Sequence, residues 1–276
     1  MAAAEESCLN LQFQLLRKLR RLGTPPSFVN VLPEFREFQP NQTYVYNPLE
    51  YNAEIIQEYY RRYANGPKRV LFLGMNLGSV ASLRTGIPFG DMRTVQELMQ
   101  LQGVINEPPL PRPLDEPDSS STRFWNLIQA LYNDAGNFMD MFFEDCFVAN
   151  FCPLAFLDCS GKNVSLQELP KGNNHEHSGY IEQMKEACLE NLQQQVDLLN
   201  PDLVIAMGHY VKNILKGLEN ARALNIVRIN HPSRRTGIAE REWIRDSKTS
   251  ILNEEVFQEI LRRHNIPHGI DLQNVP

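Results

Sequence analysis

Residues 69–91, RVLFLGMNLGSVASLRTGIPFGD, constrain the fold of this chain more than any other stretch. The apolar run at 70–73 is short, rich in branched and aromatic side chains and closed by glycine. It reads as a strand buried on both faces, the kind that parallel sheets contain. The run stops at Gly74-Met75-Asn76-Leu77-Gly78, and a second glycine-rich turn at 85–90 follows. A loop so placed leaves the carboxyl end of a strand, the rim where open α/β sheets bind ligands, and glycine lets the backbone approach a ligand closely. GMNLG fits neither GxGxxG nor GxxxxGK[ST], so neither a dinucleotide nor a nucleoside-triphosphate loop is indicated.

Three further stretches read as core strands: 142–151 (FFEDCFVANF), ending at Ala149-Asn150; 203–207 (LVIAM), closed by Gly208; and 225–229 (NIVRI), ending at Asn230-His231. Helices are expected over 53–64, 91–102, 123–132, 180–199, 211–218 and 241–263. Four strands alternating with helices predict a three-layer α/β fold, a central four-stranded parallel sheet flanked by helices. Residues 28–46 lack sustained periodicity and are expected to be extended or loop. The proline-rich 108–117, the acidic and serine cluster 118–121 and the polar 158–178, with a brief structured piece at 166–170, read as excursions. The tail after Ile266 is expected to be loose. No internal repeat is visible. At the N-terminus, Leu9, Phe13, Leu16 and Leu19 fall near helical spacing with Arg17, Lys18, Arg20 and Arg21 between them. That is a short basic amphipathic helix over 8–22, which either docks on the domain or serves as an interaction tail.

With 276 residues, 42% hydrophobic and 22% charged, the chain can bury a full core, and one domain with tails is expected. No apolar run approaches the roughly 20 residues that span a bilayer, and the first residues are acidic where a secretory signal would be basic, so no membrane partner is expected. The five cysteines are unevenly spaced without a CxxC pair, which points to thiols rather than a disulfide framework, a zinc site or an iron–sulfur cluster. A formal net charge of −6 argues against indiscriminate binding to nucleic acid but leaves room for a local basic face.

Asn76, Asn150 and His231 each fall just past or at the end of an expected strand. Singly, each has an ordinary structural reading as a cap or turn residue; together they define one rim. His231-Pro232-Ser233-Arg234-Arg235-Thr236 adds hydroxyls and guanidiniums suited to phosphates, although such a run is also a common solvated face. Phe89, between Pro88 and Gly90, either packs under its loop or stacks on a flat ligand.

GMNLGSVASLRTGIPFGD resembles the GMNPGP…TGxPFG segment of the single-strand-selective monofunctional uracil-DNA glycosylases, and NHPSRRT resembles their HPSPRN segment. VANFCPLAFLDCSGKN is similar to the family's HNLCPLLFL…SGRN stretch, and YNPLEY and RFW also have counterparts. The resemblance runs in register from about Tyr46 to the final helix. It implies residues 41–276 as a single glycosylase domain with a central four-stranded parallel sheet, and residues 1–40 as an N-terminal extension carrying the basic helix. It implies a monofunctional DNA repair enzyme that hydrolyses the N-glycosidic bond of uracil, and of 5-hydroxymethyluracil, in single- and double-stranded DNA, leaving an abasic site.

The resemblance also gives residue roles. Asn76 orients the attacking water and His231, neutral or charged, stabilises the departing base; these are the catalytic pair. Met75 supplies a backbone N–H, Gly78 leaves space for a 5-substituent, Phe89 stacks on uracil and Asn150 reads its polar edge. Ser233, Arg234, Arg235 and Thr236 form the DNA-contacting segment, with Arg235 filling the gap left by the flipped base. No metal or cofactor is implied, and a nuclear monomer acting on uracil-containing DNA is expected. Leu77, Ser79 and Arg234 replace prolines of the pattern, so the loops lose φ constraints, and Ala149 replaces a histidine. A catalytically impaired relative that binds damaged DNA is therefore the alternative, and a Rossmann-like nucleotide-binding enzyme a more distant one.

Overall fold

A computed structural model describes residues 7–78, 81–111, 119–169, 175–219 and 223–267. In chain order it runs α1 (Cys8–Arg20), β1 (Phe28–Asn30), β2 (Thr43–Tyr46), α2 (Ala53–Tyr63), β3 (Val70–Asn76) and α3 (Ala81–Thr85). It continues through α4 (Ser119–Leu131), α5 (Phe138–Asp145), β4 (Cys146–Cys152), β5 (Ala155–Asp158) and α6 (His175–Leu199). The chain then forms β6 (Leu203–Met207), α7 (His209–Leu215), β7 (Ile226–Ile229), α8 (Glu240–Leu252) and α9 (Glu255–Arg263).

The frame is the expected four-stranded parallel sheet, in the order β4-β3-β6-β7. Val70, Leu71, Phe72 and Leu73 are all buried because helices cover both faces, and this removes the alternation an exposed face would impose. β3 pairs with β4 so that Gly74 lies opposite Asn150 and Asn76 opposite Cys152, and with β6 on its other side from Val70–Leu203 onward. Chain order reverses between β3 and β6. The connections from those strands diverge there, opening a crevice at their carboxyl ends.

Four expectations about elements need correcting. Residues 142–145 belong to α5, and the strand begins at Cys146. Phe138, Met139, Phe142 and Phe143 repeat at helical spacing and bury one face, and the shorter or branched side chains of 146–149 take over as strand. Residues 91–102 yield a single π-helical turn, Thr94–Leu98, rather than a regular helix. Residues 241–263 divide at Asn253 into α8 and α9, with Glu254 extended as the cap of the second. Residues 28–46 contribute two strands, β1 parallel to β2 and β2 antiparallel to β5, forming a second sheet.

α1 packs on α6. Leu11, Leu15, Leu16 and Leu19 are buried there, and Asn47 and Asn191 donate side-chain hydrogen bonds to the carbonyls of Leu16 and Leu11. Lys18 and Arg20 pair with Glu190 and Glu50. The five cysteines are free thiols. Among the described residues no helix is long and apolar enough to cross a membrane, and no group of three metal-ligating side chains forms. Ser79, residues 112–118 of the proline-rich and acidic excursion, and the tail beyond 267 lie outside the described residues.

Candidate active site

A cavity of about 420 Å³ occupies the crevice between the ends of β3 and β6. Met75, Asn76 and Gly78 line it from one side, Met207 to Tyr210 from another, His231, Ser233, Arg235 and Thr236 from a third, and the 163–168 turn closes it. Three segments distant in sequence thus meet, because they leave the carboxyl ends of neighbouring parallel strands.

Next to Met75 along β3 stands Gly74, which forms a tight cluster with Phe89 and Asn150. A Cβ placed on Gly74 would overlap Oδ1 of Asn150 and come within 3.2 Å of Cε2 of Phe89. The absent side chain is what lets the asparagine and the ring approach the β3 backbone. Oδ1 of Asn150 is buried without a hydrogen-bond partner. A buried carbonyl left unpaired costs about 1–3 kcal/mol, so this acceptor is poised for a donor from a ligand.

Phe89 has φ +52°, the left-handed region that a bulky side chain seldom adopts. Its conformation is overdetermined. The Phe89 carbonyl accepts from Ser121 Oγ at 2.5 Å and from Trp125 Nε1 at 2.8 Å, while Phe124 stacks on its ring with centroids 4.7 Å apart and planes inclined by 22°. The ring therefore both packs within its loop and stands beside the site, 6.5 Å from the His231 imidazole.

Asn76 ends β3 with its amide held at both ends. Nδ2 donates to the Leu77 carbonyl at 2.9 Å, and Oδ1 accepts from the Leu166 N–H at 3.4 Å, which fixes the amide orientation and leaves Oδ1 a second lone pair. His231 follows β7. Its neighbours are tied down on either side: Trp243 Nε1 donates to the Asn230 carbonyl at 2.9 Å, and Arg123 donates to that of Pro232 at 3.5 Å. Burial, reinforced by the Arg235 charge, pushes the His231 imidazole down to about pKa 4. Ser233 N–H donates to its Nδ1 at 3.1 Å, so near neutrality the ring is uncharged and carries its proton on Nε2. Of the two protonation states open at the outset, the neutral one is selected.

Ser233 caps a short 3₁₀ turn, Arg234–Thr236. Its Oγ accepts from Arg235 N, its carbonyl accepts from Thr236 Oγ1, and Gly237 closes the turn at φ +72°. Arg234, Arg235 and Thr236 are exposed. Arg235 leans toward the 163–168 turn, 3.7 Å from Glu168 and 3.4 Å from the Asn163 carbonyl. Arg234, Phe89 and Asn150 do not line the cavity.

Two of the three missing prolines, those at 77 and 234, have substitutes. Leu77 is buried and its N–H donates to the Leu154 carbonyl, while the Ser233 cap organises the turn around Arg234. Sequence reading missed Gly74, Ser121, Trp125, Arg123, Leu166 and Glu168 as parts of the site. The RFW motif was the one signal pointing toward two of them.

The Uracil DNA glycosylase superfamily model matches residues 62–261. A mouse protein, Single-strand selective monofunctional uracil DNA glycosylase, is 35% identical over 211 residues, covering 72% of this chain and 71% of its own. Its bovine counterpart is 36% identical over 214 residues, covering 72% and 73%. The crystal structure of Pedobacter heparinus wild-type SMUG2 superposes with a TM-score of 0.56 at 19% identity, covering 87% of this chain and 96% of that one, which indicates a shared fold.

Proposed function

The chain belongs to the uracil DNA glycosylase superfamily and, within it, to the single-strand-selective monofunctional enzymes, and on that premise we propose that it removes uracil from DNA by hydrolysing the N-glycosidic bond. The observation that carries this reading is the orphan acceptor, Asn150 Oδ1, buried against Gly74 and beside the Phe89 ring. It suits the N3–H of a uracil lying on that ring, a base that must first leave the DNA stack to be reached.

Asn76 then holds a water through the free lone pair of Oδ1. An amide is a weak base, so its work is orientation, and scission of the C1′–N1 bond runs ahead of attack. Uracil leaves as an anion with charge on O2. The neutral imidazole of His231 donates an Nε2–H hydrogen bond to that oxygen, stabilising the charge where it develops. Water adds to C1′, the proton it sheds neutralises the uracil anion, and uracil and an abasic sugar remain. No lysine nucleophile takes part, in keeping with base removal without strand cleavage.

Met75 contributes a backbone N–H to the pocket. Gly78 leaves space beside C5, so 5-hydroxymethyluracil is a second substrate, in single- and in double-stranded DNA. Ser233, Arg234, Arg235 and Thr236 contact the DNA backbone and the gap left by the base. Residues 41–276 act as one monomeric glycosylase domain in the nucleus, with residues 1–40 as an extension docked through α1.

The test is an oligonucleotide carrying one uracil, treated with the protein and then with alkali. Wild type yields cleaved product, and Asn76→Ala and His231→Leu each lower kcat by about 10²–10³. Absence of product with wild type, or undiminished product with both variants, overturns the reading. A binding-only relative rests on the replaced prolines, but the Leu154 bond to Leu77 and the Ser233 cap support intact loops. Uracil-DNA binding without turnover would decide for it.

A further inference from the structure

The 163–168 turn touches both halves of the proposed machinery. Its Leu166 N–H holds Asn76 Oδ1, and its Glu168 carboxylate faces Arg235. Glu168 does not depend on Arg235 for its place. Across the Ser165–Glu168 turn the Glu168 N–H donates to the Ser165 carbonyl at 2.8 Å, and Glu168 Oε2 in turn accepts the Ser165 N–H at 2.9 Å. That bond, with a smaller contribution from Arg235, holds the carboxyl below its usual range. The anion is thus a fixed feature of the cavity rim, and the flexible guanidinium comes to it. Asn163 completes the station by accepting from Arg235 through its backbone carbonyl.

We propose that Glu168 is a specificity-determining residue that parks Arg235 against the 163–168 turn and so handicaps duplex substrates relative to single strands. This rests on the glycosylase reading of the same site. To fill the hole left by a base flipped out of a duplex, Arg235 must leave Glu168, and the bared carboxylate then faces a second phosphate backbone. A single strand leaves no stacked partner to replace and bends away from the charge, so for it the separation brings no return and need not occur. Both partners are about half exposed, with side-chain accessibilities of 54%, so the ion pair is a weak one. The discrimination it exerts is correspondingly modest and reversible, as suits an enzyme that must still act on either form.

Glu168→Gln isolates the charge, because glutamine retains a side-chain oxygen that can accept the Ser165 N–H. Uracil excision is measured on matched single-stranded and duplex oligonucleotides, with affinity for duplex and single-stranded abasic analogues measured separately. Glu168→Gln is expected to raise the duplex-to-single-strand ratio of kcat/KM by about two- to fivefold, the range of a weak exposed ion pair. The gain should lie in KM and in abasic-duplex affinity rather than in kcat, and should vanish in an Arg235→Ala background. Glu168→Ala, which also loosens the turn holding Leu166 and hence Asn76, should lower kcat on both substrates. An unchanged ratio in Glu168→Gln, or the same gain without Arg235, overturns the proposal. Wild type that excises uracil from neither substrate would instead overturn the glycosylase reading beneath it.

Discussion

The buried cluster beside the cavity, which is the floor of the proposed base pocket, and the exposed rim are built on opposite principles. The floor, Gly74, Phe89 and Asn150, is fixed by strand register and by side-chain donors on a carbonyl whose residue sits at positive φ. The rim, Arg234 to Thr236, is an exposed 3₁₀ turn with one cap and an ion pair about half open to solvent. On the proposed reading, a flat base a few ångströms across is read by atoms that must not move, whereas a DNA backbone of variable shape is met by groups that must. Strain and orphaned polarity are concentrated where the ligand is small, and adaptable charge where it is large.

The sharpest way to break this contrast is Gly74→Ala. The new methyl would meet Asn150 Oδ1 and the edge of Phe89, so the floor must shift while the rim is untouched. Misplacement of about an ångström can lower turnover by about a hundredfold, and uracil kcat/KM should fall by about that factor. Overpacking should lower stability by about 1–3 kcal/mol, read in a denaturant titration. Wild-type uracil excision by Gly74→Ala would mean that the base is read elsewhere.

His231 sits where floor and rim join, and its titration tells to which it belongs. With its pKa depressed to about 4, the folded state binds fewer protons here than the unfolded state between about pH 4 and the ordinary histidine value near 6.5. Its contribution to stability is therefore complete above about 6.5, declines as pH falls through that window and is spent near 4. Protonated Nδ1 also loses its bond from the Ser233 N–H. kcat should consequently stay level from about pH 8 down to about 5 and fall only as pH approaches 4. A break near 6.5 that disappears in His231→Leu would assign the imidazole to the exposed rim.

The same contrast explains what could be read from sequence. Strands buried on both faces announce themselves as short apolar runs, so β3, β6 and β7 were legible, and with them the positions of Asn76 and His231 at strand carboxyl ends; Asn150, expected at the end of its strand, lies inside β4, which runs on to Cys152. The start of β4 was not, because α5 is equally apolar and only the spacing of Phe138, Met139, Phe142 and Phe143 distinguishes helix from strand. β2 was hidden because all four of its residues are buried, which erases alternation in a strand too short to show any other pattern. Within the site, the residues proposed to meet the base were legible by type and position. Those that touch the first group were not: the demand for glycine at 74 depends on which residue β4 sets opposite it, and the pairings of Trp125 with Phe89 and of Glu168 with Arg235 exist only after folding.

The smallest expected effect concerns the rim alone. Arg234 stands first in its 3₁₀ turn, and the bonds that shape the turn come from Arg235, Thr236 and Gly237 N–H groups. Ser233 before it is extended, at φ −61° and ψ 141°, the conformation a following proline requires. Arg234→Pro therefore fits the folded backbone and restricts mainly the unfolded chain, a stabilisation of about 0.4–1 kcal/mol. That corresponds to a Tm higher by about 1–4 °C for a domain of this size. Because Arg234 does not line the cavity, excision from single strands should hold while duplex binding loses one phosphate-directed charge and about one unit of salt slope. A lowered Tm would mean that the turn relies on a conformation proline cannot adopt. A lost kcat would mean that rim rigidity reaches His231, and the division between fixed floor and adaptable rim would then fail at the residue that joins them.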